Sequence, residues 1–303
     1  MITGRMSNRK LYIIGNGFDL HHDLKTSYAA FCRHVKENDK ELYEFLESYV
    51  DVDLDKDGLW ENFEKDLGTF DHVGLYSDYD YTEPSNDNFK LSDMFGVEDE
   101  LTEKSEMMIE KMCQALYDWL DEIDYPDKGY KALPLDTYAR YLTFNYTPTL
   151  NQLYSIPDEN ILHIHHSVAT HGSDLVFGHG SIIEEVSLLD DEGNGNYPSS
   201  SYSNAESASK MLLAHFYKDT KNIIRKNVKF FDNLWDIDKI IVLGHSLNDI
   251  DLSYFEYIMK IVGNDISWIV SYYSDDECEG MNDRLKSVGA IGEITFIKME
   301  SLT

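Results

Sequence analysis

Three observations predict an α/β fold, a Rossmann-like, doubly wound and mainly parallel sheet with helical insertions. The runs Leu11–Ile14 and Ile240–Leu243 are unbroken apolar tetrads that stop at Gly15-Asn16-Gly17 and Gly244-His245-Ser246. Strands buried on both faces have this form, and such strands belong inside parallel sheets. Further short apolar runs alternate with helical spacings, and right-handed crossovers turn that alternation into a doubly wound parallel sheet. Five runs also end in small or polar clusters: Gly15 to Asp19, Asn145-Tyr146-Thr147, His165-His166-Ser167, Gly178-His179-Gly180 and Gly244-His245-Ser246. A purely structural sheet has no need of Asn, His and Ser at its rim, whereas ligands bind outside the carboxyl ends of parallel strands.

Taken in order, the first run leads into a glycine turn that admits two readings. Its backbone N–H groups cradle a phosphate, or the turn simply needs a positive φ; Leu20 stands where a dinucleotide fingerprint would carry its third glycine. From Thr26 to Val50, Tyr28, Phe31, Val35, Leu42, Phe45, Leu46 and Tyr49 keep a helical spacing interrupted near Asn38-Asp39, which fits one bent helix or two short ones. Trp60, Phe63 and Leu67 line a further helical face that also carries Glu61 and Glu64. Residues 71–99 are rich in Asp, Tyr, Ser and Asn without a period and are expected to form a long excursion. Met108, Met112, Leu116, Trp119, Leu120 and Ile123 then mark a helix whose stripe is core.

The second half is expected to contain strands at 138–147, 160–167, 174–180, 238–247, 266–273 and 293–299. Pro148 suits the first turn of a helix that Thr147 would cap. Helices are expected over 210–231, 249–262 and 275–288, and the acidic, low-complexity stretch 184–209 is expected to be a mobile loop or lid. No Pro/Gly linker divides the chain, so the expectation is a single domain over 1–303 with insertions at about 71–125 and 184–209.

Composition narrows the function. Lys plus Arg total 26 against 56 Asp plus Glu, a formal net charge of −30. A nucleic-acid partner needs a positive field that this chain does not supply, while a small anionic ligand held by backbone amides stays compatible. Cys32, Cys113 and Cys278 form no C-x-x-C pair, which excludes a zinc ribbon and suits reduced thiols. The basic start MITGRMSNRK lacks the apolar core and cleavage site of a signal peptide, and no segment is apolar for long enough to cross a bilayer. A cytoplasmic protein is expected, with no membrane partner.

The blocks LYIIGNGFDL with KTSY, LWENFE, YLTFNYT, ILHIHHSV, LVFGHG and IIVLGHSLNDIDLSYF, in that order, resemble the AbiH family of bacteriophage abortive-infection proteins. The series is also similar to the wider sirtuin-like NAD-binding fold, whose members in bacterial defence degrade NAD. The resemblance thus implies an antiviral protein that hydrolyses NAD and releases nicotinamide. The alternative is a module that binds NAD or an ADP-ribose-like nucleotide without chemistry, as a sensor. It implies that Gly15, Asn16 and Gly17 hold the pyrophosphate with Asp19 close to the ribose, and that Asn145 holds a ribose hydroxyl or the attacking water. His165 would be the general base, against the competing reading of a hydrogen-bonded core histidine. Ser246 and Asp251 would bind the second ribose, with Gly244 beside them.

NAD is expected as substrate or ligand, without a metal: His163 and His165 share a strand face, but spacing identifies no third ligand. Glu64 lies in a shared block and would support the site indirectly; His21, His22 and His179 have no role beyond hydrogen bonding. A homo-oligomer and a phage-derived trigger stay open as partners. Two positions depart from the family pattern, His166 and Asp23, which stand where the family commonly has glycine.

Overall fold

Alternation along β1 (Lys10–Ile14) sends Leu11 and Ile13 to one face of a sheet and Tyr12 and Ile14 to the other, and all four side chains are buried. A strand apolar on both faces needs cover on both. Leu11 and Ile13 join Leu142, Ile240, Val242 and Trp268 under Phe231, Phe255 and Ile258, while Tyr12 and Ile14 join Tyr141, Ile241 and Leu243 under Phe18, Leu133 and Leu150. Each fully buried aliphatic side chain in these layers contributes about 1.5–3 kcal/mol.

This computed structural model describes residues 10–54, 57–79, 91–127, 129–180 and 199–302. The basic N-terminal residues, the middle of the 71–99 excursion and most of the expected 184–209 lid lie outside them. The sheet has six strands, all parallel: β1, β2 (Arg140–Thr143), β3 (Ile161–His163), β4 (Lys239–Leu243), β5 (Ser267–Tyr272) and β6 (Ile294–Lys298), in spatial order β3-β2-β1-β4-β5-β6. Ile14 is level with Thr143 on one side and Leu243 on the other, and Thr143 is level with His163. The carboxyl ends of these four strands therefore finish together.

The chain packs as two compact units, one of residues 1–27, 117–176 and 219–303, which holds the whole sheet, and one of residues 28–116 and 177–218. In the second unit the helices Tyr28–Asn38 and Lys40–Tyr49 break at Asp39, whose carboxylate accepts the Leu42 N–H at 3.0 Å and so starts the second helix. Phe31, Trp60 and Phe63 are buried there, with Trp60 stacked on Phe63 at 4.4 Å. The helix Leu91–Asp121 buries Met108 and Met112, so the methionine stripe is core.

Four expectations need correction. Of the supposed excursion, residues 72–79 form a helix, His72–Tyr79, which buries little beyond Leu75 and so leaves no periodic apolar stripe, and residues 91–99 already belong to the helix Leu91–Asp121. The expected helix over 210–231 is three short ones, Met211–His215, Thr220–Lys226 and Val228–Asp232. Within the expected lid, Ser199–Ser209 is helical. The run 174–180 is no strand of the sheet. His179 pairs with Tyr217 in an isolated bridge of the second unit, where a Cβ on Gly178 would fall 1.9 Å from the Phe216 carbonyl oxygen.

Candidate functional site

The strand ends meet first through glycine. A Cβ on Gly15 would lie 2.6 Å from the Cα of His245, and one on Gly17 2.8 Å from the Cα of Gly244. Gly244 itself has φ +67°, and a Cβ there would lie 2.1 Å from the Phe18 nitrogen. The Gly15 N–H donates to the Leu243 carbonyl at 3.0 Å, Gly17 N–H to Gly244 at 2.8 Å and Phe18 N–H to Gly15 at 2.9 Å. These glycines are thus demanded by contact between the turns after β1 and β4, and three of the four turn amides already have partners. The Asn16 side chain donates to the Thr26 carbonyl at 2.7 Å and holds the following loop.

Beneath that seam lies a polar cluster. The short helix Asn16–His21 directs Asp19 inward, where it is fully buried. Thr147, just past the end of β2, donates to Asp19 Oδ2 at 2.5 Å, and Thr149 donates to Thr147 at 3.0 Å. Thr147 therefore does not cap the helix Thr149–Tyr154, as expected from sequence; its hydroxyl is held by the carboxylate instead. Burial pushes the Asp19 carboxyl up to about 6, while hydrogen bonding from Thr147, Thr149 and the facing Asn145 amide pulls the other way. Tyr125 approaches from the loop before β2; burial first, then the nearby Asp19 charge, raises its phenol, and the neighbouring Thr149 opposes this.

Asp19 Oδ1, both polar atoms of the Asn145 amide and the Tyr125 hydroxyl are buried without a well-formed hydrogen bond among the described residues. Asn145 is 7 % exposed. Buried polar groups are almost always paired, because leaving one unpaired costs about 1–3 kcal/mol, so loosely paired atoms on three neighbouring residues set this cluster apart.

On the neighbouring strand end, His163 bonds the Asn145 carbonyl at 3.1 Å, and burial lowers its pKa. His165 is two residues further on, as Asn145 is from Thr143. It is 2 % exposed, with Nε2 3.4 Å from the Tyr254 hydroxyl and Phe144 and Tyr254 rings at 5.4 and 5.9 Å. Phe144 also packs on His245 at 4.3 Å. The His245 Nδ1 accepts the Leu247 N–H at 2.9 Å, which leaves the proton on Nε2, 3.4 Å from Asp251 Oδ2. Asp251 thus stands with His245 and begins the helix Leu252–Val262. Ser246 is exposed, and its carbonyl accepts from Arg284 at 3.3 Å.

The structure therefore brings Gly15, Gly17 and Gly244 into contact, sets Asp19 beside Asn145, and carries Asn145 and His165 on adjacent strand ends. Ser246 faces solvent, and Asn16 is turned to Thr26. His22 is satisfied on both nitrogens, by the Phe18 carbonyl and the Tyr154 hydroxyl, each at 2.6 Å. His166 and Asp23, the two departures from the family pattern, have φ +69° and +62°, the left-handed region where glycine is at ease. His166 is held there by stacking on His171 at 4.1 Å and by the Asp174 carbonyl at 2.7 Å.

In the second unit, Glu64 accepts from Tyr28 at 2.5 Å and pairs with Lys218, which is 4 % exposed. His179 bonds the Leu213 carbonyl through Nε2 at 2.9 Å.

Sequence reasoning missed Tyr125, Thr149 and His245. His245 was in plain view beside Gly244, and its signal was Asp251 six residues on. Tyr125 sits in Asp124-Tyr125-Pro126, which carries no motif.

A family model described as bacteriophage abortive infection AbiH matches residues 11–272, which takes in every strand but β6. No curated protein and no solved structure matches the chain. Among the described residues no helix is long and apolar enough to cross a membrane, and no group of three or more His, Cys, Asp or Glu is arranged to hold a metal ion.

Proposed function

The chain belongs to the bacteriophage abortive infection AbiH family, and from that premise we propose that it defends its host by hydrolysing NAD to nicotinamide and ADP-ribose. The observation that carries the reading is the Asn145 side chain, buried facing Asp19 and without a well-formed hydrogen bond at either polar atom. The strand order supports it: β3-β2-β1-β4-β5-β6 is the order of doubly wound dinucleotide-binding sheets, in which the ligand lies where the order reverses, here between β1 and β4. Gly15, Gly17 and Gly244 mark that point. Their service to a pyrophosphate is the absence of side chains, since the Gly15 and Gly17 amides are engaged.

Cleavage of the nicotinamide–ribose bond passes through an oxocarbenium-like state, as glycoside hydrolysis does. The bonding pair leaves with the ring nitrogen, a water oxygen bonds to the sugar carbon, and a base takes the water proton. Asn145 orients the water or a ribose hydroxyl, and His165 on the adjacent strand end is the base. The near-complete burial of His165 against Phe144 and Tyr254 supports a second reading, in which the nucleotide binds without chemistry.

Incubation with NAD separates the two. Nicotinamide release by the intact protein that is abolished by Asn145→Ala and by His165→Ala establishes the hydrolase. NAD binding without release, in cells and in vitro, establishes the sensor. Growth arrest that survives both substitutions excludes the hydrolase.

A further inference from the structure

His166 stands where the family commonly has glycine, and what replaces the glycine is a pair of stacked rings. The Val176 N–H donates to the His165 carbonyl at 3.0 Å and so closes a loop, 166–175, that holds the short helix Val168–His171. Within it the ring of His166, kept at φ +69°, lies flat on that of His171, with centroids 4.1 Å apart and planes 11° apart.

Hydrogen bonding fixes the proton on each ring. A carbonyl only accepts, so His166 Nδ1 carries a proton and donates to the Asp174 carbonyl at 2.7 Å. A backbone N–H only donates, so His171 Nδ1, 3.5 Å from the Ser167 nitrogen and 2.7 Å from the Thr170 hydroxyl, is bare and its proton sits on Nε2. A second proton on His171 must therefore enter at Nδ1, facing the Ser167 N–H. Charge on His166 is met by the Asp174 carboxylate, 3.8 Å from Nδ1, whereas no ion pair joins His171 to a carboxylate among the described residues. The other titratable neighbour is His163 on β3, whose pKa burial lowers and the His171 charge lowers further; two charges there oppose each other.

We propose that His166 and His171 form an acid-sensitive latch on the loop 166–175, closed while at most one ring is charged and opened when both are. An ordinary imidazole takes its second ring proton near pH 6.5. Two cations stacked 4.1 Å apart repel, and a charged His171 no longer accepts the Ser167 N–H. The closed loop is thus favoured at neutral pH and lost as pH falls. The latch goes beyond the hydrolase reading and needs neither NAD nor a role for His165, so it stands or falls separately from it.

The test is hydrogen–deuterium exchange of the full chain at pH 7.5 and 5.5, corrected for the intrinsic pH dependence of exchange, on wild type, His166→Gly and His171→Phe. Glycine suits the positive φ, and Phe keeps a ring against His166 without a charge. In wild type, protection within 166–175 is expected to fall roughly ten- to hundredfold at pH 5.5, the factor for two like charges about 4 Å apart at a partly screened surface, while β1 and β4 keep theirs. In both variants the fall is expected to vanish. His163 is present in both, so its titration does not account for a fall that both abolish. Unchanged protection in wild type, a fall of wild-type size in either variant, or a fall shared by β1 and β4 overturns the proposal.

Discussion

Two regions at the carboxyl end of the sheet, both built from the turn after β1, differ in one respect. Along the glycine seam, Gly15, Gly17 and Gly244 pack backbone on backbone and the amides of Gly15, Gly17 and Phe18 find carbonyls. Around Asp19, burial is just as complete, but polar atoms of Asp19, Asn145 and Tyr125 lack well-formed partners. The first region is closed and gains stability from its contacts; the second carries a cost that a purely structural site would have lost. The difference separates residues that hold the rim together from those that, on the proposed function, meet the nucleotide.

Substitution in the seam is expected to have the largest effect. Gly244→Ala places a methyl 2.1 Å from the Phe18 nitrogen at a positive φ, and a loss of about 3 kcal/mol or more is expected in urea unfolding. A stable Gly244→Ala protein would mean that the seam yields and that the contrast is false.

Asp19 provides the next effect, of opposite sign. Its folded pKa is about 6, above the ordinary carboxyl value, so the folded state holds the proton more tightly than the unfolded chain. The stability linked to this group is therefore full below about pH 4 and is lost as pH rises through about 6. Two pKa units correspond to about 3 kcal/mol. Asp19→Asn should remove that slope and be the more stable protein at pH 7, while Asp66, also raised to about 6 by burial, keeps its own contribution in both. Parallel stability profiles from pH 4 to 7 would show that Asp19 is not desolvated.

Smaller effects sharpen the comparison. Asn145→Leu removes a buried amide that makes no well-formed hydrogen bond and should leave stability unchanged or raise it by about 1 kcal/mol, read from the urea midpoint. His166→Gly should gain about 1 kcal/mol by releasing left-handed strain, less what the His171 stack contributes. Asp23→Gly should gain about half that, since Asp tolerates the conformation better and its ion pair with Lys131 at 3.9 Å is exposed. Melting temperatures check both.

Where the chain states its structure in unbroken apolar runs, it was legible. Leu11–Ile14 and Ile240–Leu243 proved to be adjacent central strands, and their glycine ends meet. The run LVFGHG misled because its alternation serves a bridge to Tyr217 in the second unit instead of a place in the sheet. The helix His72–Tyr79 was hidden because little of it is buried. The candidate site was legible where a motif residue faces inward, as at Asp19 and Asn145. It was obscure at Tyr125 and Thr149, whose meaning comes from contacts with Asp19 and Thr147 that no local spacing encodes.

The most direct test of the account measures nicotinamide release from NAD and urea stability on the same preparations of wild type and Asn145→Ala. The account predicts that the variant is at least as stable as wild type and releases nothing. Release at the wild-type rate, or a stability loss above about 2 kcal/mol, would make Asn145 a structural residue and contradict it.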